Sequence, residues 1–208
     1  MSLLPLLLDF LFPPRDAQAL VAGSSIEALG SHARARVIER NTVALLPYRV
    51  PLVKACIKEA KFNDHEKAQV LLAHILADYL KSLIEEGRVL GTSLYVLVPI
   101  PLSRERYRER GYNQTERIAR KAVTHIEHVE VSATVLSRTR HTLPQTSLGR
   151  LARTKNMQDA FRVKGVVDPS YTYIVLDDVR TTGATLRSAV DAMHSAGATQ
   201  VVGLSLAH

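Results

Sequence analysis

The fold of this chain is decided by the stretch Tyr173-Ile174-Val175-Leu176-Asp177-Asp178-Val179-Arg180-Thr181-Thr182-Gly183-Ala184-Thr185. Its first four residues form an apolar run that predicts a buried strand, and two adjacent carboxylates follow that strand. A turn of small and hydroxyl-bearing residues then leads into a predicted helix over 182–196. Backbone N–H groups at the start of such a helix favour an anion, and a glycine there lets a phosphate approach closely. The stretch therefore predicts a sugar-phosphate site.

Two common phosphate-binding motifs do not fit this stretch. The chain has no G-x-x-x-x-G-K-[ST] pattern and no G-x-G-x-x-G pattern, so neither a P-loop nor a dinucleotide fingerprint is indicated. The alternative is a strand, turn and helix capped by threonines without any ligand. That alternative gives the two neighbouring carboxylates no partner, although they repel each other at a strand end.

The second half of the chain alternates predicted strands and helices. Strands are predicted over 94–100, 161–163, 173–176 and 201–206, and helices over 64–86, 113–125, 147–156 and 182–196. This order indicates an α/β fold with a mostly parallel sheet flanked by helices, in which ligands bind at the carboxyl ends of strands. Residues 1–50 show no strong period and are expected to be irregular. We predict an N-terminal helical lead and hood region over 1–62 and an α/β domain over 63–208.

Composition and charge limit the class of protein. The apolar run from Leu3 to Phe12 contains Asp9 and is shorter than the roughly 20 residues that a spanning helix needs, so we expect no membrane span. Cys56 is the only cysteine, which excludes an intramolecular disulfide and a cysteine-only zinc site and fits a cytoplasmic protein. The formal net charge is +7. Its positive excess lies in segments 104–121 and 136–164, which favours an anionic partner.

The stretch 173–185 resembles the signature of the type I phosphoribosyltransferases. In that family an apolar strand, Asp-Asp and a Thr-Thr-Gly-x-Thr loop hold the ribose and the 5-phosphate of phosphoribosyl pyrophosphate (PRPP). The resemblance implies that Asp177 and Asp178 bind the ribose, with Mg²⁺ carried by PRPP nearby and no metal held by protein ligands alone. It implies that the loop binds the 5-phosphate through Val179, Arg180, Thr181, Thr182, Gly183, Ala184 and Thr185.

Four further blocks resemble the ComF family of competence-associated proteins, which has the phosphoribosyltransferase fold. They are Val98-Pro99-Ile100-Pro101-Leu102 with Arg110-Gly111-Tyr112-Asn113-Gln114, segment 136–161, Lys58-x-x-Lys61-Phe62, and segment 6–13. Many members carry a four-cysteine zinc module after the N-terminal block, where this chain has Arg15 and Asp16. The chain is therefore expected to be a member without zinc.

The same resemblance implies roles for the two arginine-rich segments. Ser103, Arg104 and Arg106 follow an earlier strand and would contact the pyrophosphate. Arg138, Arg140 and Gln145 would belong to a mobile hood loop. Arginine forks suit bidentate phosphate contacts, although each of these arginines could instead be solvated. No residue can be assigned as the catalytic base.

Three functions follow as hypotheses. The first is a PRPP-dependent phosphoribosyltransferase that releases pyrophosphate to an acceptor that the sequence does not identify. The second is an accessory protein of DNA uptake that binds single-stranded DNA with the same fold and without turnover. The low aromatic content, 5% of residues, disfavours a base-stacking platform. The third is a PRPP sensor.

Overall fold

The computed structural model describes residues 14–39, 41–89, 94–139 and 160–208. The N-terminal part contains α1 (Pro14–Ala22), α2 (Ile26–Gly30), β1 (Arg36–Glu39), β2 (Thr42–Leu46), α3 (Pro51–Phe62) and α4 (Glu66–Val89). The middle part contains β3 (Tyr95–Pro99), α5 (Arg104–Arg110), α6 (Gln114–Val123), β4 (Val129–Val131) and β5 (Leu136–Arg138). The last part contains β6 (Phe161–Val163), β7 (Thr172–Val179), α7 (Ala184–Ser195) and β8 (Gln200–Ala207).

A six-stranded sheet organises these elements in the order β1-β2-β8-β7-β3-β4. All neighbouring strands run parallel except β1, which pairs antiparallel with β2 at one edge. Strands β5 and β6 form a separate antiparallel pair. The predicted α/β fold with a mostly parallel sheet flanked by helices is therefore confirmed. The carboxyl ends of β3 and β7, which pair directly, lie side by side.

Strand β7 is buried on both faces because helices cover both sides of the sheet. Ile174 and Leu176 belong to a core that they share with α3, α4 and α6. Tyr173 and Val175 point to the opposite core, where they meet Leu186 and other residues of α7. A strand that is buried on both faces reads as a continuous apolar run, which is why the sequence predicted it.

The long helix α4 differs from its predicted bounds at both ends. It begins at Glu66, because Asp64 adopts a left-handed conformation with φ of 51° and accepts a hydrogen bond from Gln69 instead of capping the helix. It also continues beyond residue 86, its predicted end, to Val89. The predicted helix over 147–156 lies outside the described residues.

The N-terminal region is more regular than predicted. Residues 14–50 contain two short helices and the β1–β2 hairpin, so the expectation of an irregular segment is wrong for this part of the chain. The hairpin strands have only four and five residues, too few for a clear period. Strand β2 pairs with β8 and thereby extends the main sheet. The division at residues 62 and 63 stays a prediction.

Two further observations concern Cys56 and membranes. The Cys56 side chain is fully buried in the core against the sheet, and burial raises the pKa of its thiol to about 12. It therefore fills the core. Among the helices of the described residues, none combines the length and the apolar character that crossing a bilayer requires.

Candidate functional site

The centre of the candidate site is the pair of aspartates at the carboxyl end of β7, called here the acid pair. Asp178 is buried, whereas Asp177 is partly exposed. The Oδ1 atom of Asp177 accepts a hydrogen bond of 2.9 Å from the N–H of Asp178. The two carboxylates are therefore neighbours with different surroundings, and their pKa values are shifted in opposite directions.

Asp178 is held by three groups from different elements. Its Oδ2 accepts 2.7 Å from Gln114 Nε2 and lies 3.0 Å from Lys61 Nζ, while Oδ1 accepts 2.7 Å from the Val179 N–H. Burial alone would raise the pKa of Asp178, but the Lys61 ammonium and these hydrogen bonds lower it. Asp178 is therefore a fixed anion at neutral pH.

Asp177 has the opposite electrostatic character. Burial and, second, the neighbouring Asp178 charge raise the pKa of Asp177 to about 7. These two effects are larger than the lowering of the pKa by the Lys61 charge. A carboxylate that is costly to ionise gains most from an added cation or hydrogen-bond donor. Asp177 is thus the member of the pair that gains more from a ligand.

The segment Arg110-Gly111-Tyr112-Asn113-Gln114 is the scaffold of the acid pair. Gly111 ends α5 in a left-handed conformation, with φ of 76°. The Asn113 side chain caps α6 and donates to the carbonyl of Ile100 after β3. Arg110 Nη1 donates 3.2 Å to Gln114 Oε1, which orients the Gln114 amide towards Asp178. These contacts explain why the motif needs an amide at both of its last two positions.

The end of α3 brings Lys61 to the acid pair. Tyr112 Oη donates 3.2 Å to the carbonyl of Ala60 and accepts 2.9 Å from the Asp64 N–H, so it joins α5 and α6 to the end of α3. Phe62 lies beside Lys61, with its ring 53% exposed and the Arg110 guanidinium 5.0 Å from the ring centroid. Sequence reasoning noted Lys61 and Gln114 only as parts of motifs and did not include them among the site residues.

The turn after β7 carries the predicted phosphate-binding residues, and residues 181–185 are called here the 181–185 loop. Thr181 and Thr182 are exposed, and α7 begins directly after Gly183, which has φ of 74°. Thr182 Oγ1 accepts 3.4 Å from the Ala184 N–H. The helix thus starts beside the acid pair with its N–H groups at the loop, a geometry that favours an anion.

The guanidinium of Arg180 is buried under this loop. A Cβ atom added to Gly183 would lie 2.6 Å from Arg180 Nε and 2.7 Å from Nη2. The Nε atom is buried without a hydrogen-bond partner among the described residues. Glycine at position 183 is therefore required by its left-handed backbone and by the arginine beneath it.

The predicted pyrophosphate and hood residues divide into groups. Arg138 lies near both Arg106 and Asp177. Burial and, second, the Arg106 charge lower the pKa of Arg138, whereas the Asp177 charge raises it. Arg104 lies elsewhere, in a groove with Tyr107 and Arg108. Ser103 caps α5 by accepting 3.3 Å from the Arg106 N–H. Arg140 and Gln145 lie outside the described residues.

Cations therefore outnumber acids around the acid pair. Lys61 pairs with Asp178, and the Asp178 charge also stabilises the ionised form of Arg110. Arg106 and Arg138 add two further charges, and neither forms an ion pair with another described residue. Within the described part of the chain, no group of three or more histidine, cysteine or acidic residues could hold a metal. The arrangement can bind a polyanion that brings its own metal ion.

The sequence of this chain is similar to those of several known proteins. A scan against models of protein families finds no match. The chain is similar to the DNA utilization protein YhgH of Escherichia coli K12, with 29% identity over 160 residues, which are 76% of this chain and 68% of the relative. It is also similar to competence protein ComFC of Streptococcus pneumoniae, with 30% identity over 146 residues, 70% of this chain and 59% of the relative.

A third relative is competence protein F of Haemophilus influenzae, with 27% identity over 108 residues, 50% of this chain and 46% of the relative. These similarities agree with the resemblance of the sequence motifs to competence-associated proteins. The names of these relatives refer to competence or to DNA utilization.

Proposed function

We propose that this chain is a ComF-type protein with the phosphoribosyltransferase fold that binds PRPP in the cytoplasm. The observation that carries the proposal is the juxtaposition of the acid pair, the 181–185 loop and an excess of cations at the end of β7. A ligand with two anionic ends and a diol between them matches this order of groups. We also propose that this chain carries no zinc module of the kind found in many ComF proteins, since Cys56 is its only cysteine.

Each part of PRPP has a proposed partner. The 5-phosphate binds to N–H groups and hydroxyls of the 181–185 loop, flanked by Val179 and Arg180. The ribose hydroxyls bind to Asp177 and Asp178. The pyrophosphate binds to Arg106 and Arg138, neither of which forms an ion pair with another described residue. Ser103, Arg104, Arg140 and Gln145 stay as weaker candidates.

Mg²⁺ fits this arrangement because it prefers oxygen ligands and keeps several waters together with substrate phosphates. Asp177 supplies a partly exposed carboxylate that is costly to ionise without a cation. We therefore propose that Asp177 holds Mg²⁺ or one of its waters when PRPP is bound. This ion would neutralise the charge of the pyrophosphate.

The proposed reaction is phosphoribosyl transfer. The bond between C1 of the ribose and the pyrophosphate oxygen breaks, and pyrophosphate leaves with the electron pair. A lone pair of the acceptor forms the new bond to C1, and the proton that the acceptor then loses is released to solvent. The protein contributes by positioning and by stabilising the leaving group. A PRPP sensor without turnover would use the same contacts, and production of pyrophosphate with a panel of nucleobases and amines separates the two.

The direct test is titration calorimetry with PRPP and Mg²⁺. Binding that requires Mg²⁺ and is lost in the Asp177→Asn/Asp178→Asn double variant would support the proposal. If the unmodified protein binds no PRPP, the proposal is wrong.

The raised pKa of Asp177 predicts a pH dependence of PRPP affinity. Because the bound cation or diol needs the ionised carboxylate, we expect affinity to fall about tenfold per pH unit below pH 7 and to level off above it. The Asp177→Asn variant has no carboxyl group at this position, so its pH profile reports the ionisation of PRPP itself and serves as the control. Identical profiles for both proteins, measured by calorimetry from pH 5.5 to 8.5, would contradict this assignment.

A second candidate function is binding of single-stranded DNA. It is supported by the names of the relatives and by the groove beside α5, in which Arg104 and Arg108 flank Tyr107. The Tyr107 ring is 54% exposed, so a base could stack on it while the arginines contact phosphates. This groove contains Arg104 but not Arg106, so it is distinct from the cluster at the acid pair.

Charge reversal in this groove tests the second candidate. The Arg108→Glu variant is expected to bind single-stranded DNA about tenfold more weakly than the unmodified protein at low salt, with a smaller salt slope, because fewer counterions are released. Fluorescence anisotropy of a labelled oligonucleotide measures both quantities. The control is Arg36→Glu on the edge strand β1, which makes the same change of charge. Equal losses in the two variants would indicate only a general charge effect.

A further inference from the structure

Glu39 joins two arginines that contact the 181–185 loop. Its Oε1 lies 2.6 Å from Arg180 Nη2 and 2.8 Å from Arg187 Nη1, and Oε2 accepts a second bond of 3.0 Å from Arg187 Nη1. Glu39 is the last residue of the edge strand β1. Arg180 directly follows β7, and Arg187 lies in the first turn of α7. The hairpin at the edge of the sheet is thereby connected to the candidate phosphate site.

Both arginines contact the backbone of the loop. The Arg180 guanidinium lies against Gly183, where even a methyl group would come within 3 Å of it. Arg187 Nη2 donates 3.2 Å to the carbonyl of Thr182. The loop is therefore contacted by one cation from below and by another at its side. Both contacts depend on the positions of the guanidinium groups.

Glu39 supplies the counter-charge for this arrangement. The Arg180 side chain is only 6% exposed, so its charge needs a partner inside the protein. Hydrogen bonding from Arg187 lowers the pKa of Glu39, which keeps it ionised at neutral pH. Without the carboxylate, the two guanidinium groups would repel each other, and Arg187 would be free to leave the Thr182 carbonyl. The shape of the loop would then no longer be fixed.

We propose that Glu39 is a positioning residue, which holds the 181–185 loop in the shape that binds a phosphate monoester by fixing Arg180 and Arg187. The inference rests on the proposed function, because it assumes that the loop binds the 5-phosphate. It adds that the β1–β2 hairpin, whose sequence showed no binding motif, determines the affinity of this end of the ligand.

The test compares two probes that bind opposite ends of the proposed site. Ribose 5-phosphate reports on the 181–185 loop, and inorganic pyrophosphate with Mg²⁺ reports on the cations beside Asp177. The Glu39→Gln variant is expected to bind ribose 5-phosphate about tenfold more weakly and pyrophosphate with unchanged affinity. The control is Glu130→Gln on β4, which removes one exposed carboxylate elsewhere and should bind both probes normally.

A second variant covers the case in which Glu39→Gln fails to fold. Arg187 is half exposed, and Arg187→Gln leaves the ion pair of Glu39 and Arg180 intact, so it should fold and lose affinity for ribose 5-phosphate only. Unchanged affinity in the variant that folds would overturn this inference alone. Absence of ribose 5-phosphate binding by the unmodified protein would overturn the proposed function and this inference together.

Discussion

The Asp177→Asn variant is expected to lose PRPP affinity while it gains thermal stability. The amide keeps the oxygen that accepts the Asp178 N–H, but it cannot supply the charge that a diol or Mg²⁺ requires. Loss of one charge-assisted contact corresponds to a decrease in affinity of roughly 10- to 100-fold. Calorimetric titration with PRPP and Mg²⁺ at pH 8 measures this loss.

The gain in stability follows from the raised pKa of the same group. The folded protein holds the Asp177 proton more tightly than the unfolded chain, whose pKa is near 3.8. Stability therefore decreases as the pH rises from about 4 to 7, and at pH 8 the ionised group destabilises the fold. Each pKa unit is worth about 1.4 kcal/mol before solvent screening reduces it. Removal of the charge should raise the melting temperature by a few degrees.

Two comparisons make this result specific to the acid pair. The Asp191→Asn variant, on the exposed side of α7, should change neither property. The Asp178→Asn variant should lower the melting temperature, because Lys61 would lose its counter-charge. A stable Asp177→Asn variant that binds PRPP as tightly as the unmodified protein would show that this carboxylate is not part of the site.

The sequence predicted the elements whose signals are local. Strand β7 has an apolar run because both of its faces are buried, and α6 was predicted over 113–125, close to its observed bounds. The short hairpin strands were missed because four or five residues carry too little periodicity. Helix α5 was not predicted, since none of its residues is buried and no apolar stripe marks it.

The residues that hydrogen-bond to the site residues could not be predicted from the sequence. Gln114 lies 64 residues before Asp178, and Glu39 lies 148 residues before Arg187. Nothing in the spacing of the chain indicates these pairs, because the sheet order brings them together. The sequence likewise grouped Arg104 with Arg106, whereas α5 directs Arg104 to the groove of Tyr107. Sequence motifs therefore identified the candidate loop and acids, and the fold identified what holds them.

The Gly183→Ala variant is expected to have the largest effect on both stability and phosphate binding. Its added Cβ would lie 2.6 Å from Arg180 Nε, and moving the guanidinium away would disturb its 2.6 Å contact with Glu39. The left-handed backbone adds strain of about 1–2 kcal/mol, and overpacking adds about 1–3 kcal/mol. We expect the free energy of unfolding to fall by the sum, roughly 2–5 kcal/mol, with no detectable binding of ribose 5-phosphate.

Gly197→Ala is the matched control, because Gly197 also has a positive φ, 102°, but an added Cβ meets nothing within 4 Å. It should lose only the backbone part, about 1–2 kcal/mol, and bind ribose 5-phosphate normally. Chemical denaturation gives both losses, and their difference isolates the contact with Arg180. Since this contact exists only if the guanidinium underlies the loop, equal losses in the two variants would refute that arrangement. If Gly183→Ala loses more stability than Gly197→Ala, adding Arg180→Ala to the Gly183→Ala variant should reduce that loss. This result would assign the loss to the contact between the added Cβ and Arg180, because Arg187 would still pair with Glu39 in the double variant.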